Sequence, residues 1–308
     1  MLSAQGFSKT RTLPKGSVLV TCIGSTIGKA GMATKEMSTN QQINSIVVND
    51  NNDNEFVYYA IQSAFPRYLS SIAVQAVPII SKSAFELLPN NRPYLQEQKK
   101  IGKFLSLLDE RIATQNKIIE DLKKLKSAIS HILFSSKCAI RLSDIANVIM
   151  GQSPSSNAYN DQGIGMPLVQ GNLDISNGNT TPRLYTAEFN QTAEEGNIIL
   201  TVRAPVGEVA KATKKVCLGR GVCAIIPHEE NMSDFIYQYL TFYKFMWRKY
   251  EQGSTFTSIN GSDVRNIPCP KVRNVSILTL LDRKINIEER VIKLYKSQKQ
   301  YMLCQMFI

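Results

Sequence analysis

The chain is written twice. PKGSVLVTCIGSTIGKAGMAT (14–34) and EEGNIILTVRAPVGEVAKAT (194–213) share Gly16 with Gly196 and Thr21 with Thr201 at an offset of 180. One residue is then lost, and Gly28 matches Gly207 at an offset of 179. That register runs on through Phe56 and Phe235, Tyr58 and Tyr237, Ile80 and Ile259, Ser83 and Ser262, and Pro89 and Pro268. FLSLLDERI (104–112) then matches ILTLLDRKI (277–285) at an offset of 173. A register kept this long requires that whatever supersecondary unit one copy forms, the other forms as well.

Each copy has two parts. VLVTCIG and NIILTV, then INSIVV and VCAIIP, are short β-branched runs that read as strands, with loops of Gly, Ser, Asn and Lys between them. A stretch without proline follows from Tyr94 to Phe134, interrupted by one glycine, Gly102, and reads as one long helix. Its apolar seam steps by three and four along Leu105, Leu108, Ile112, Ile119, Leu122, Ile129 and Leu133. The second copy's seam is Leu278, Leu281, Ile285, Ile292, Tyr295 and Met302. Polar residues break the seam at matching places, Gln115 with Glu288 and Lys126 with Lys299, where they fix register at some cost in stability. The expected fold class is α+β: two β-rich domains, each followed by a long helix, with the helices packed as an antiparallel coiled coil. The expected boundaries are 1–93, 94–137, 138–272 and 273–308, and the first domain lacks a counterpart of residues 140–179.

Charge gives the first functional signal. Lys and Arg number 36 against 25 Asp and Glu, a net +11 spread without a basic tail, which suits a polyanionic partner. No run of 18 apolar residues exists, so no transmembrane helix is expected. The first ten residues lack an apolar signal core, so a cytoplasmic location and no membrane partner are expected.

Catalytic readings fail on spacing. The cysteines Cys22, Cys138, Cys217, Cys223, Cys269 and Cys304 form no C-x2-C pair, and His131 and His228 lie far from any cluster, so no metal is expected. They read as scattered buried thiols. GSTIGKA (24–30) is one residue short of a phosphate loop and has Ala30 where a hydroxyl is needed, so it reads as a tight turn. Asn91-Arg-Pro-Tyr94 reads as a linker whose Pro93 opens the long helix.

The doubled arrangement resembles the specificity (S) subunit of Type I restriction–modification enzymes, with an N-terminally shortened first domain. LSDIANVIMGQSPSS (142–156) resembles the opening of a target recognition domain, GSTFTSINGSDVRNIPCP (253–270) its close, and LSLLDERIATQNKIIEDLKKLKSAISHILF (105–134) the spacer helix. The resemblance implies a subunit that is not itself catalytic. It would direct a complex to a bipartite site on double-stranded DNA, with the helices setting the half-site spacing. Two methylation subunits carrying S-adenosylmethionine would dock on the helices, and restriction subunits would join for cleavage; no cofactor is expected in this chain. A helical scaffold or adaptor without DNA specificity, or an inactive donor fragment of a rearranging specificity gene, is the alternative.

Base readout needs Arg or Lys for guanine and Asn or Gln for adenine. Loop positions that read different half-sites should differ between copies. Gln41 aligns with Arg220 and Ile23 with Arg203. Gln41, Gln42 and Asn44 are therefore candidates in the first copy, and Arg203 and Arg220 in the second. Gln152, Ser153, Ser155, Gln170 and Asn172 come from the opening loops. Ser254, Thr255, Ser258 and Asn260, with Lys82 opposite Gly261, are candidates for backbone contacts.

Overall fold

The structure is a computed structural model that describes all residues except 1–3, 8, 71–78, 136–138, 250–257, 272–273 and 308. The first copy runs through helix α1 (Ala4–Phe7), strands β1 (Val18–Thr21), β2 (Ala30–Met32) and β3 (Ile43–Ile46), and helices α2 (Asn54–Ser70), α3 (Lys82–Glu86) and α4 (Leu95–Phe134). The second begins with β4 (Ala139–Arg141) and β5 (Ala146–Met150). Short strands follow: β6 (Tyr159–Asn160), β7 (Met166–Val169), β8 (Ile175–Ser176), β9 (Asn179–Thr180), β10 (Leu184–Thr186) and β11 (Thr192–Ala193). It continues through β12 (Ile198–Thr201), β13 (Val209–Lys211), β14 (Val216–Leu218) and β15 (Val222–Pro227). Helices α5 (Ser233–Tyr243) and α6 (Gly261–Arg265), strand β16 (Pro268–Pro270) and helix α7 (Ser276–Met306) complete it.

The repeat holds element by element. β1 corresponds to β12, β2 to β13, β3 to β15, α2 to α5 and α3 to α6. Even isolated bridges repeat: Leu13 with Met37 has its counterpart in Ala193 with Val216, and Ile23 with Ile79 in Arg203 with Ser258. So do the caps. Ser81 Oγ accepts from the Ala84 N–H at 3.1 Å at the start of α3, and Asn260 Oδ1 accepts from Ser262 and Asp263 at the start of α6.

The chain divides into two compact units, residues 1–119 with 287–308 and residues 120–286. In the first, β2, β1 and β3 form an antiparallel sheet in that order. Val18, Val20 and Cys22 alternate onto Ile61, Phe65 and Tyr68 of α2. Leu105 and Leu108 of α4 share a core with Leu303 of α7, the Asp109 carboxylate meets Lys299 Nζ at 2.7 Å, and Gln115 Nε2 donates to Glu288. Numbers rise along α4 as they fall along α7, so within this unit the two helices run antiparallel.

The second unit is larger. Its six-stranded sheet, β5-β15-β12-β13-β9-β8, lies beside a five-stranded sheet, β11-β14-β7-β10-β6, and β4 pairs with β16. Ile198 and Leu200 enter the core with Phe235 and Leu240 of α5, while Ile199 enters the other with Val169 and Leu218. Both faces of β12 are therefore covered, which is why it reads NIILTV without alternation. Lys126 Nζ pairs with Asp282 at 2.6 Å, and Phe134 and Leu278 share the main core.

All seventeen seam positions face inward to some degree: Leu105, Leu108, Gln115, Ile119, Leu278, Ile285, Glu288 and Ile292 are buried, and Ile112, Leu122, Lys126, Ile129, Leu133, Leu281, Tyr295, Lys299 and Met302 are half-buried. Two details differ from the sequence expectation. α4 begins at Leu95, so Pro93 precedes the helix instead of opening it, and its carbonyl accepts from Gln98 Nε2 at 2.9 Å. Cys304 is exposed, whereas Cys22, Cys217, Cys223 and Cys269 are buried; Cys138 lies outside the described residues.

Candidate nucleic-acid interface

Three glycines let three loops of the second unit touch through their backbones. A Cβ at Gly151 would stand 2.1 Å from the Gly219 carbonyl, and one at Gly221 would stand 2.1 Å from the Gln170 carbonyl. Backbone bonds fasten the loops: Gly151 N–H to Val222 O at 2.9 Å, Gln152 N–H to Leu218 O at 2.9 Å and Gly219 N–H to Val169 O at 2.8 Å. Ser153 Oγ accepts from the Arg220 N–H at 3.1 Å. Asp174, buried, accepts from the Gln170 N–H at 2.9 Å and from Arg183 Nε at 3.1 Å, and so fixes the 170–174 turn. Arg203 follows β12 and is pinned by its bridge to Ser258. Behind it Thr201 Oγ1 donates to Pro205 O at 2.7 Å and accepts from the Glu208 N–H at 2.9 Å.

The result is a cleft of about 450 Å³ walled by Ser153, Pro154, Tyr159, Gln170, Arg203 and Arg220. Both guanidinium groups are exposed, and among the described residues no carboxylate pairs with either. Two free forks beside a carboxamide, an aromatic ring and a hydroxyl can grip a phosphate or read a guanine or adenine edge. Four sequence candidates, Ser153, Gln170, Arg203 and Arg220, thus converge on one surface. Sequence reasoning missed Tyr159, which joins the wall, and Asp174, which holds the loop. The aromatic in SSNAY was the available signal for the first; the second shows only once the turn is folded.

The remaining candidates lie elsewhere. Gln41 and Gln42 are exposed on the turn before β3, where Asn40 Oδ1 accepts from the Gln42 N–H at 3.1 Å. Asn44 stands opposite Val20 in the sheet, half-buried, with its amide nitrogen buried. Gln152 and Ser155 are exposed beside the cleft, and Ser155 Oγ donates to Glu188 at 2.9 Å. Asn172 opens the turn Asn172–Asp174. Asn260 spends its side-chain oxygen on the α6 cap. Lys82, on α3, lies 3.5 Å from Glu86 with both side chains exposed. Ser254 and Thr255 lie outside the described residues.

The other motifs take structural places. Gly24 and Gly28 sit at φ +91° and +88° in the turn between β1 and β2, and a Cβ at Gly28 would strike the Phe65 ring. His131 lies edge-on to Phe242, and His228 Nε2 is 3.3 Å from Asn147 Oδ1. Among the described residues no three His, Cys, Asp or Glu side chains converge as metal ligands, and no helix is long and apolar enough to cross a membrane.

The chain is similar to known proteins along most of its length. The family model described as Type I restriction modification DNA specificity domain matches residues 1–124 and 138–294. A Methanocaldococcus jannaschii protein named as the MjaX specificity subunit of a type I restriction enzyme is 32% identical over 226 residues. That match takes in 66% of this chain and 53% of the relative, so the chain spans about half the relative's length. Among solved structures, the S subunit of the Type I restriction–modification system from M. genitalium superposes with a TM-score of 0.66 at 21% identity, covering 98% of this chain and 85% of that one. A chain from a structure of complex assembly and conformational transition in the type I R-M system gives 0.63 at 21%, covering 96% and 82%. These likenesses agree with the doubled fold of β-rich units and long helices. The chain belongs to the family of Type I restriction modification DNA specificity domains.

Proposed function

We propose that this chain is a non-catalytic, sequence-reading subunit of a Type I restriction–modification complex, and that it binds double-stranded DNA. The observation that carries this reading is the convergence of Arg203, Arg220, Gln170 and Ser153 on one cleft, with neither guanidinium group paired to a carboxylate among the described residues. The net charge of +11 supports a polyanionic ligand. In this reading the second copy reads one half-site through that cleft. The first reads another through the turn at Gln41 and Gln42, the former being the repeat counterpart of Arg220. The long helices set the gap between half-sites and carry two methylation subunits, which bring S-adenosylmethionine; restriction subunits complete the assembly. The complex would work in the cytoplasm.

Co-expression with the cognate methylation subunit, followed by single-molecule sequencing of methylated adenine in host DNA, tests this. A split methylated motif with two defined halves is the expected result. Methylation without any sequence preference, or unchanged by deleting this chain, would overturn the reading.

A further inference from the structure

One side chain in the cleft of the second unit is held differently from its neighbours. Gln170 follows β7 and Gly219 follows β14, and these strands run parallel, with Leu168 opposite Cys217 and Val169 opposite Leu218. Both chains therefore leave the sheet at the same end, and Gln170 emerges beside the Gly219–Gly221 turn that carries Arg220. A Cβ at Gly219 would stand 2.9 Å from Gln170 Cγ, so the glycine makes room for the glutamine stem. Gln170 is half-buried, whereas Arg203 and Arg220 are exposed. Among the described residues the Gln170 carboxamide has no hydrogen-bond partner.

The main chain beneath this side chain is fixed from three directions. The Val169 carbonyl accepts from the Gly219 N–H at 2.8 Å, and the Gln170 carbonyl lies so close to Gly221 that a Cβ there would meet it at 2.1 Å. The Gln170 N–H donates to Asp174 Oδ2 at 2.9 Å. Asp174 is held in turn. Its other oxygen accepts from Arg183 Nε at 3.1 Å, its N–H donates to Gly171 O at 3.1 Å, and its carbonyl accepts from the Thr181 N–H at 2.8 Å. Asp174 is 4% exposed and does not line the cleft. A carboxamide presents one donor and one acceptor in a plane, the complement of adenine N7 and N6–H in the major groove; a guanidinium only donates and suits the two acceptors of guanine. Such a two-point contact tolerates little displacement, so it gains from a main chain that stays in place.

On the reading of this cleft as a DNA site, we propose that Gln170 is a specificity-determining residue that reads an adenine in the half-site Arg220 contacts, and that Asp174 is its positioning residue. Asp174 acts through the Gln170 N–H: it holds the main chain so that the carboxamide meets the base edge with both its donor and its acceptor. Arg183 pairs with the buried carboxylate from the outer side and keeps it on that N–H. Because the glutamine stem is already packed on Gly219, less side-chain freedom is lost on binding than for an arm that starts free in solvent.

Selection of duplexes from a randomised pool by the complex with its methylation subunit tests this, with Gln170→Glu run beside the unaltered chain. A carboxylate only accepts, which suits the amino group of cytosine. One A·T position of the motif should therefore turn into a G·C pair, its preference moving by at least about tenfold, while the position lost in Arg220→Ala stays enriched. Gln170→Ala should leave that same A·T position degenerate. Asp174→Ala should weaken the preference there by at least about fivefold and spare the others. Asp174→Asn, which keeps an oxygen for the Gln170 N–H, should restore most of it. A motif that survives both Gln170 substitutions at every position, or that erodes equally at all of them, would overturn the assignment of Gln170 while leaving DNA reading by the complex intact. An Asp174→Ala complex that keeps the full preference, or loses it alike at every position, would overturn the positioning role. A pool that the unaltered complex fails to enrich would overturn both the Gln170 assignment and the DNA reading of the cleft.

Discussion

Arg220 and Gln41 share one position of the repeat and differ in chemistry, as two readers of different sequences would. Arg220→Ala is expected to cost about 1–3 kcal/mol on one half-site and to relax its preference there, measured by competition among duplexes that vary at single positions. An equal loss on every duplex would make Arg220 a phosphate clamp instead. Tyr59 gives a stability test. Its buried hydroxyl donates to Asp109 at 2.8 Å, and burial first, then that bond and the Asp109 charge, raise its pKa above the usual phenol value. The unfolded chain thus releases this proton at lower pH than the folded one. The contribution is whole below about pH 10 and is lost as pH rises beyond it. Tyr59→Phe should cost about 1–2 kcal/mol at neutral pH and flatten the alkaline decline, followed by urea unfolding across that range. Among the described cysteines, burial holds Cys223 and Cys269 up at about 12, so Cys304 should be the first to alkylate in the native protein. Labelling of Cys223 without unfolding would contradict that placement.

At the scale of elements, the long helices were legible because their apolar positions step by three and four, and their seam falls where that stepping puts it. What the sequence could not show was partner choice. Lys126 and Lys299 match by repeat and never meet; each takes the aspartate of the opposite helix, Asp282 or Asp109, themselves counterparts at the same offset. Gln115 and Glu288 are counterparts that do bond each other. Antiparallel pairing joins residues whose numbers sum to a near constant, and an offset comparison is blind to that. Lys126→Asp is expected to cost about 2 kcal/mol by setting two carboxylates together, with Asp282→Lys in the same chain restoring most of it in thermal unfolding. The sheets were half legible. β12 and β15 announced themselves as β-branched runs, while β6, β8, β9 and β11 have two residues each and depend on pairing across the sheet. Glycines mark where such pairing is tight. At φ +89° Gly207 packs against Trp247, whose ring a Cβ would strike at 2.3 Å. Gly207→Ala should therefore lower stability by about 2–4 kcal/mol in chemical unfolding, beyond the ordinary cost of a helix or strand glycine change.

For the molecule as a whole, the repeat said more about function than any motif. It fixed which loops are counterparts, and four of the residues chosen on that basis and from the opening loops meet in one cleft. It could not show that the amide nitrogen of Asn44 is buried, because a strand alternates its faces and register decides which side chain turns inward. It could not foresee the cap role of Asn260, since capping depends on where α6 begins. A DNA-reading chain of this charge should lose affinity steeply with salt, with a log–log slope near −0.9 for each phosphate neutralised. The most direct measurement is selection of bound duplexes from a randomised pool by the complex with its methylation subunit, run beside the same complex carrying Arg220→Ala. The expected result is an enriched motif for the unaltered complex, with one position of one half-site degenerate in the variant and the rest retained. An unenriched pool, or the same motif recovered by both, would contradict the claim that this cleft reads DNA sequence.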